Sequence, residues 1–166
     1  MLKLVRSLAA AVAVVATAGL ALPVMADDNP LKSSMEAYTV ELDADGREVF
    51  SKADKAIPKQ VIEYRLKYAN ESERPLNKLA ITGPIPSNTQ YIADSAATMS
   101  RANLVVSIDD GENWESEPVV REVKQPNGQI ERVIIPAEQY THVRWQAASP
   151  LRGNSEQEYR YRVQIQ

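Results

Sequence analysis

Hydrophobic and polar residues alternate one by one through residues 61–69 (VIEYRLKYA), with Ile62, Tyr64, Leu66 and Tyr68 on one side and Glu63, Arg65 and Lys67 on the other. A period of two marks a half-buried strand, because successive side chains leave opposite faces of the pleat. Residues 158–166 (EYRYRVQIQ) repeat the device, setting Tyr159, Tyr161, Val163 and Ile165 against Arg160, Arg162 and Gln164. Shorter segments of the same kind predict strands over 36–42, 48–52, 78–82, 90–93, 104–108, 119–124, 129–135 and 142–146. Turn-forming clusters separate them at 43–46, 70–75, 83–88, 126–128 and 149–155. Short strands with polar turns at this density predict an all-β fold, an antiparallel β-sandwich. Asn127-Gly128 supplies the positive φ of a tight hairpin and pairs 119–124 with 129–135. Residues 27–34, polar and carrying Asn29-Pro30, read as a flexible leader, and 35–166 as a single sandwich domain.

The N-terminus changes the picture from fold to address. Residues 1–6 are short and basic, 7–22 are apolar, and Pro23-Val24-Met25-Ala26 offers small residues before Asp27. This is the three-part form of a secretory signal peptide over residues 1–26, cleaved after Ala26. An uncleaved anchor is the competing reading, since the run almost matches a bilayer span; Gly19, Pro23 and the alanines favour cleavage. With no second apolar run, the expectation is a periplasmic or secreted chain without a transmembrane segment. The lack of a wall-sorting tail points to a Gram-negative periplasm. Losing Lys3 and Arg6 with the signal moves the net charge from −3 to −5. That interspersed acidic balance excludes the basic patch that nucleic acid requires. There is no cysteine, so neither a disulfide framework nor thiolate chemistry is available, and stability must come from a packed core.

The segment Ser107-Ile108-Asp109-Asp110-Gly111-Glu112-Asn113-Trp114 admits three readings: a calcium loop, part of a glycosidase site, or a tight turn. A chelating loop needs oxygens from several positions and an acidic residue to close it, and after Asp109 and Asp110 only Glu112 is near. A second candidate, Glu41-x-Asp43-x-Asp45-Gly46, starts like a calcium loop but reaches Lys52 at its closing position. A turn whose Asp side chains cap backbone amides accounts for both segments. No cofactor or metal site is expected. His142 is the one histidine and lies within a predicted strand, so no His-based metal cluster or triad can be assembled. The many carboxylates fall on outer strand faces and turns and read as solvated surface rather than as an acid pair in a cleft. The chain is therefore expected not to be an enzyme.

Two resemblances refine this. Ser107, Asp109, Gly111 and Trp114 fall where the Asp-box places Ser-x-Asp-x-Gly-x-Thr-Trp, with Asn113 in place of Thr; in sialidases and other secreted β proteins that hairpin is a folding element remote from catalysis. More widely, residues 61–70 (VIEYRLKYAN), 76–86 (LNKLAITGPIP) and 88–95 (NTQYIADS) follow one another as in a conserved repeat domain (domain of unknown function eleven) of bacterial and archaeal surface proteins. Ile85-Pro86-Ser87-Asn88-Thr89 stands for its Pro-x-Gly-Thr, with Asn88 replacing Gly. Asp94-Ser95-Ala96, residues 106–111, residues 140–145 (YTHVRW) and the turn at 149–155 continue the order, which covers about residues 58–166. The resemblance implies an immunoglobulin-like sandwich without a known activity, here in one copy where the family runs in tandem.

Trp114 and Trp145 are the candidate ligand or interface residues, because indoles stack on sugars and anchor interfaces. Each also has a packing role: Trp145 alternates with Val143 toward the core, and Trp114 starts a strand after a turn, placed to pack across the hairpin. The last strand, if at a sheet edge, would offer its backbone to an envelope protein. The function expected is an exported, non-enzymatic structural or protein-interaction module of the cell envelope. A small-ligand or glycan-binding periplasmic protein is the alternative, and an envelope hydrolase a distant third.

Overall fold

In the computed structural model, which describes residues 29–55 and 57–166, eleven strands and one short 3-10 turn follow in order. They are β1 (Leu31–Leu42), β2 (Glu48–Lys52), β3 (Val61–Asn70), β4 (Ala80–Pro84), β5 (Thr89–Tyr91), β6 (Ala97–Thr98), β7 (Ala102–Ser107), β8 (Val120–Lys124), β9 (Ile130–Ile134), the turn Ala137–Gln139, β10 (His142–Ala147) and β11 (Ser155–Ile165). The large sheet runs β2-β1-β3-β11-β5, with β6 continuing the β5 side of β11, and the small one runs β4-β10-β7. All pairings are antiparallel, and the two sheets form the sandwich. The strands β8 and β9 pair with each other alone. The predicted signal peptide and residues 27 and 28 lie outside the described residues.

The core lies where the two alternating strands bring aromatic side chains against the small sheet. Trp145 of β10, 2% exposed, packs 5.4 Å from the Tyr159 ring and 6.3 Å from that of Tyr161. Tyr64 of β3 stacks on Tyr161 at 5.3 Å. The Tyr161 ring crosses directly over Gly83 of β4, where a Cβ would come within 2.5 Å of it, and its hydroxyl donates to the Pro84 carbonyl. Burial pushes the Tyr161 hydroxyl's pKa well up, so it remains a donor. A side-chain knot fixes one corner: the Asn70 amide donates to the carbonyls of Arg74, Leu151 and Arg152, while its oxygen accepts from Ser72. Gly153 closes that corner, because a Cβ there would sit 2.3 Å from the Glu73 carbonyl oxygen.

Three expectations need correction. Leu31 to Ser34, expected in the leader, begin β1 and pair with Asn70 to Lys67 of β3; the partner strand imposes the extended backbone on a polar stretch with no alternation of its own. The last strand is not an edge: β11 lies between β3 and the β5/β6 side. The turn at 126–128 makes the expected hairpin, but by another geometry. Only Gly128 has positive φ, +84°, and its N–H donates to Gln125 while the Gln125 N–H donates to Gln129. This is a three-residue loop with a glycine bulge, and Gly46, at φ +78°, closes the β1–β2 hairpin in the same way.

Candidate functional site

The segment 107–114 folds as a turn held by its own side chains. Asp109 Oδ1 accepts from the Ser107 hydroxyl at 2.7 Å and from the Asn113 N–H at 2.9 Å, and Oδ2 accepts from the Asn113 side-chain amide at 2.7 Å. The Ser107 hydroxyl oxygen in turn accepts from the Gly111 N–H at 2.9 Å. Donation from the Asn113 backbone, then its side chain, then Ser107 holds the Asp109 carboxyl down to about 2. Asp110 and Gly111 take positive φ, and Val106 and Glu115 exchange backbone hydrogen bonds across the turn. Of the two aspartates only Asp109 caps; the Asp110 N–H donates to the Thr141 hydroxyl. In the other candidate loop Asp43 accepts from the N–H groups of Asp45 and Arg47, and Arg47 pairs with both carboxylates. The described residues contain no cluster of three metal-ligating side chains.

The two tryptophans separate. Trp145 is core and out of reach of a ligand. Trp114 is half-buried over the outer face of the small sheet, with the Arg144 guanidinium 3.6 Å from its ring centre and His142 edge-on at 6.3 Å. Arg144 is fixed from the other side by donating to Thr82 at 2.9 Å. His142 Nδ1 lies 3.1 Å from the Thr141 hydroxyl. These contacts spend the Trp114 face on the protein's own arginine.

The outer face of the large sheet is not the solvated surface that alternation predicts. Glu63 is 0% exposed. Its carboxylate accepts from Arg65 Nε at 2.7 Å and Arg162 Nε at 2.8 Å, and Arg162 grips Glu48 through both terminal nitrogens at 2.7 and 2.8 Å. The Arg65 guanidinium lies between the rings of Tyr38 and Phe50, at 4.6 and 4.5 Å. Charge burial is tolerated because each oxygen is paired, and Arg162 holds the Glu48 carboxyl below its ordinary value. Beside this network a concavity of about 570 Å³ opens between Val40, Leu42, Ile92, Arg160 and Arg162. A second, of about 400 Å³, lies where the large sheet outspans the small one, between Ala37, Ile62, Tyr64 and Ile165. Neither includes Trp114.

The feature the sequence did not show is the exposure of the expected hairpin β8–β9. Its root is fastened: the Ile135 N–H donates to Val119, the Val119 N–H donates to the buried Tyr140 hydroxyl at 3.2 Å, and Arg121 clasps Glu115 with both terminal nitrogens. Beyond the root every residue of β9 and the last three of β8 are exposed. Ile130 and Ile134 are 67% and 62% exposed, and Val123 and Val133 are also bare. The sequence pattern correctly gave two strands and their hairpin here, but not that no sheet among the described residues covers them. No helix among the described residues is long and apolar enough to cross a membrane. No protein-family profile, curated protein or solved structure matches the chain.

Proposed function

We propose that this chain is an exported, non-enzymatic protein-interaction module of the cell envelope, released into the periplasm by cleavage after Ala26. The observation that carries the reading is the β8–β9 hairpin, which stands off the sandwich with apolar side chains on both faces and, among the described residues, no third strand. An isolated two-stranded ribbon is marginal in water, and exposed edges and apolar surface are sites for a partner protein. The ligand-binding alternative lacks comparable support, because Trp114 rests on Arg144 outside the concavities. The reading also takes the sandwich as immunoglobulin-like and the chain as a solitary counterpart of the repeat domain. Asn88 supports this: it adopts φ +61° where that family uses Gly, and the Thr89 hydroxyl donates to Pro86 at 2.7 Å to close the turn.

The test is in-cell crosslinking through a photoreactive residue at position 130, with the same probe at the exposed Lys67 of β3 in the large sheet as control. Protein adducts at position 130 and not at 67 are expected, and a probe at position 123 should give the same adducts in the wild type and lose them in an Ile130→Lys, Ile134→Lys variant. Adducts of equal yield from both positions, or none from the hairpin, would remove the reading.

A further inference from the structure

The hairpin's more exposed face has an order of charges that fits itself. On this face the cross-strand neighbours are Val120 with Ile134 at the root, Glu122 with Arg132 in the middle, and Lys124 with Ile130 at the tip. Alternation puts Arg121, Val123, Glu131 and Val133 on the other face. Glu122 and Arg132 stand directly opposite each other, yet no ion pair within 4.0 Å joins them among the described salt bridges. The arginine at the root, Arg121, is by contrast fully engaged by Glu115. The middle of the face therefore presents one carboxylate and one guanidinium side by side, each open to a second charge, between bare isoleucines.

We propose that the occupant of this face is a second copy of this chain, bound hairpin on hairpin about a two-fold axis that runs along the ribbon. That rotation exchanges the two strands. It sets Glu122 of each copy over Arg132 of the other, and Val120 over Ile134. At the tip it lays the apolar stem of Lys124 on Ile130, with the ammonium left in water. The charge pairs complement only in this arrangement; turning the second ribbon end for end would stack Glu122 on Glu122 and Arg132 on Arg132. The exposure of Ile134 at the root leaves the face open along its length. The contact is isologous, so it closes at two copies. The ribbon is small against the roughly 1,200 Å² at the low end of stable interfaces, so a dissociation constant between about 10 µM and 1 mM is expected. The inference rests on the hairpin being the interaction element and names its partner.

Sedimentation velocity on the full exported chain, from about 10 µM to 1 mM, reads the association directly. Glu122→Arg alone and Arg132→Glu alone should each stay monomeric, since each copy then meets its own charge sign. Their equimolar mixture should associate again, at an affinity within about tenfold of wild type. A variant carrying both substitutions keeps opposite charges within its hairpin, so its folding is not in question. It should self-associate like wild type yet fail to exchange with labelled wild-type copies, because Glu122 would then face Glu at 132. A wild type monomeric throughout, a mixture no more associated than its components, or free exchange between the doubly swapped and wild-type chains would each overturn the proposal. A monomeric wild type that still gives hairpin-specific adducts to another envelope protein would overturn self-docking alone; loss of those adducts as well would remove the interaction reading with it.

Discussion

Substituting Arg162→Met tests whether the buried carboxylate on the large sheet is held by its partners. Removing one member of a buried ion pair costs about 3–5 kcal/mol, because the other is left charged and dry. Two features reduce that here. Glu63 keeps Arg65 on its other oxygen at 2.7 Å, and the vacated volume, around a side chain 24% exposed, admits water. The bidentate grip on Glu48 adds little, since that carboxylate is 42% exposed and surface pairs contribute up to about 1 kcal/mol. The expected loss is therefore about 2–3 kcal/mol. Urea unfolding followed by the fluorescence of Trp145, which is shielded in the core, should show it as a lower midpoint at unchanged slope. Removing the acid as well, as Glu63→Leu with Arg162→Met, should recover part of the loss, since an apolar replacement of a whole buried pair is often close to neutral. A coupling energy of about 2 kcal/mol is expected between the two sites. Additivity within about 0.5 kcal/mol would refute the argument that Glu63 stays buried because Arg162 pairs with it.

Asn70→Asp should cost at least about 2 kcal/mol in the same assay, because it turns a donor to three carbonyls into a further acceptor; an unchanged midpoint would mean the corner is held otherwise. Gly153→Ala should cost about 1–3 kcal/mol by forcing its Cβ against the Glu73 carbonyl. Trp114→Ala should cost only about 0.5–1 kcal/mol, the size of an exposed cation–π contact, and leave the near-ultraviolet signal of the core intact. For Asp109 the folded carboxyl lies below its ordinary 3.8, so the unfolded chain binds the proton more readily. Its stabilisation is complete above about pH 4 and is lost as pH falls toward 2. Protection of the Gly111 and Asn113 amides from exchange, relative to the unfolded chain at the same pH, should fall over that interval in wild type and not in Asp109→Asn.

How much of this was legible depended on whether a residue's own neighbours in the chain determined its place. The strand β2 has the boundaries the pattern predicts, and β3, β8, β9 and β10 lie within a residue or so of them, since each alternates strongly or abuts a Gly or Pro turn. The Asp109 turn was legible because serine, aspartate and glycine act on one another across five residues. By contrast β6, two residues long, exists only because β11 offers Tyr159 and Arg160 to pair with. Glu63 reads as solvated from alternation alone, and what buries it comes from β1, β2 and β11, up to 99 positions away. The position of β11 inside the sheet, and the absence of any sheet over β8–β9 among the described residues, are facts of topology that a single strand's composition does not carry.

The placement of β1 and β11 on either side of β3 also determines how the molecule carries load. Both strands run antiparallel to β3, and therefore in the same direction as each other, each matched to it over ten residue pairs. Leu31 enters at the Asn70 end of β3 and Ile165 leaves near Val61 at the opposite end. Tension applied between those two points pulls along the strands, so the rungs of both ladders are strained together rather than opened one after another. Forced unfolding is governed by the unfolding rate rather than by equilibrium stability, and this geometry raises its barrier. A stretching force along β1 and β11 is thus expected to find the sandwich hard to open, while β8 and β9, which pair with each other outside both sheets, take no part in the strained ladders.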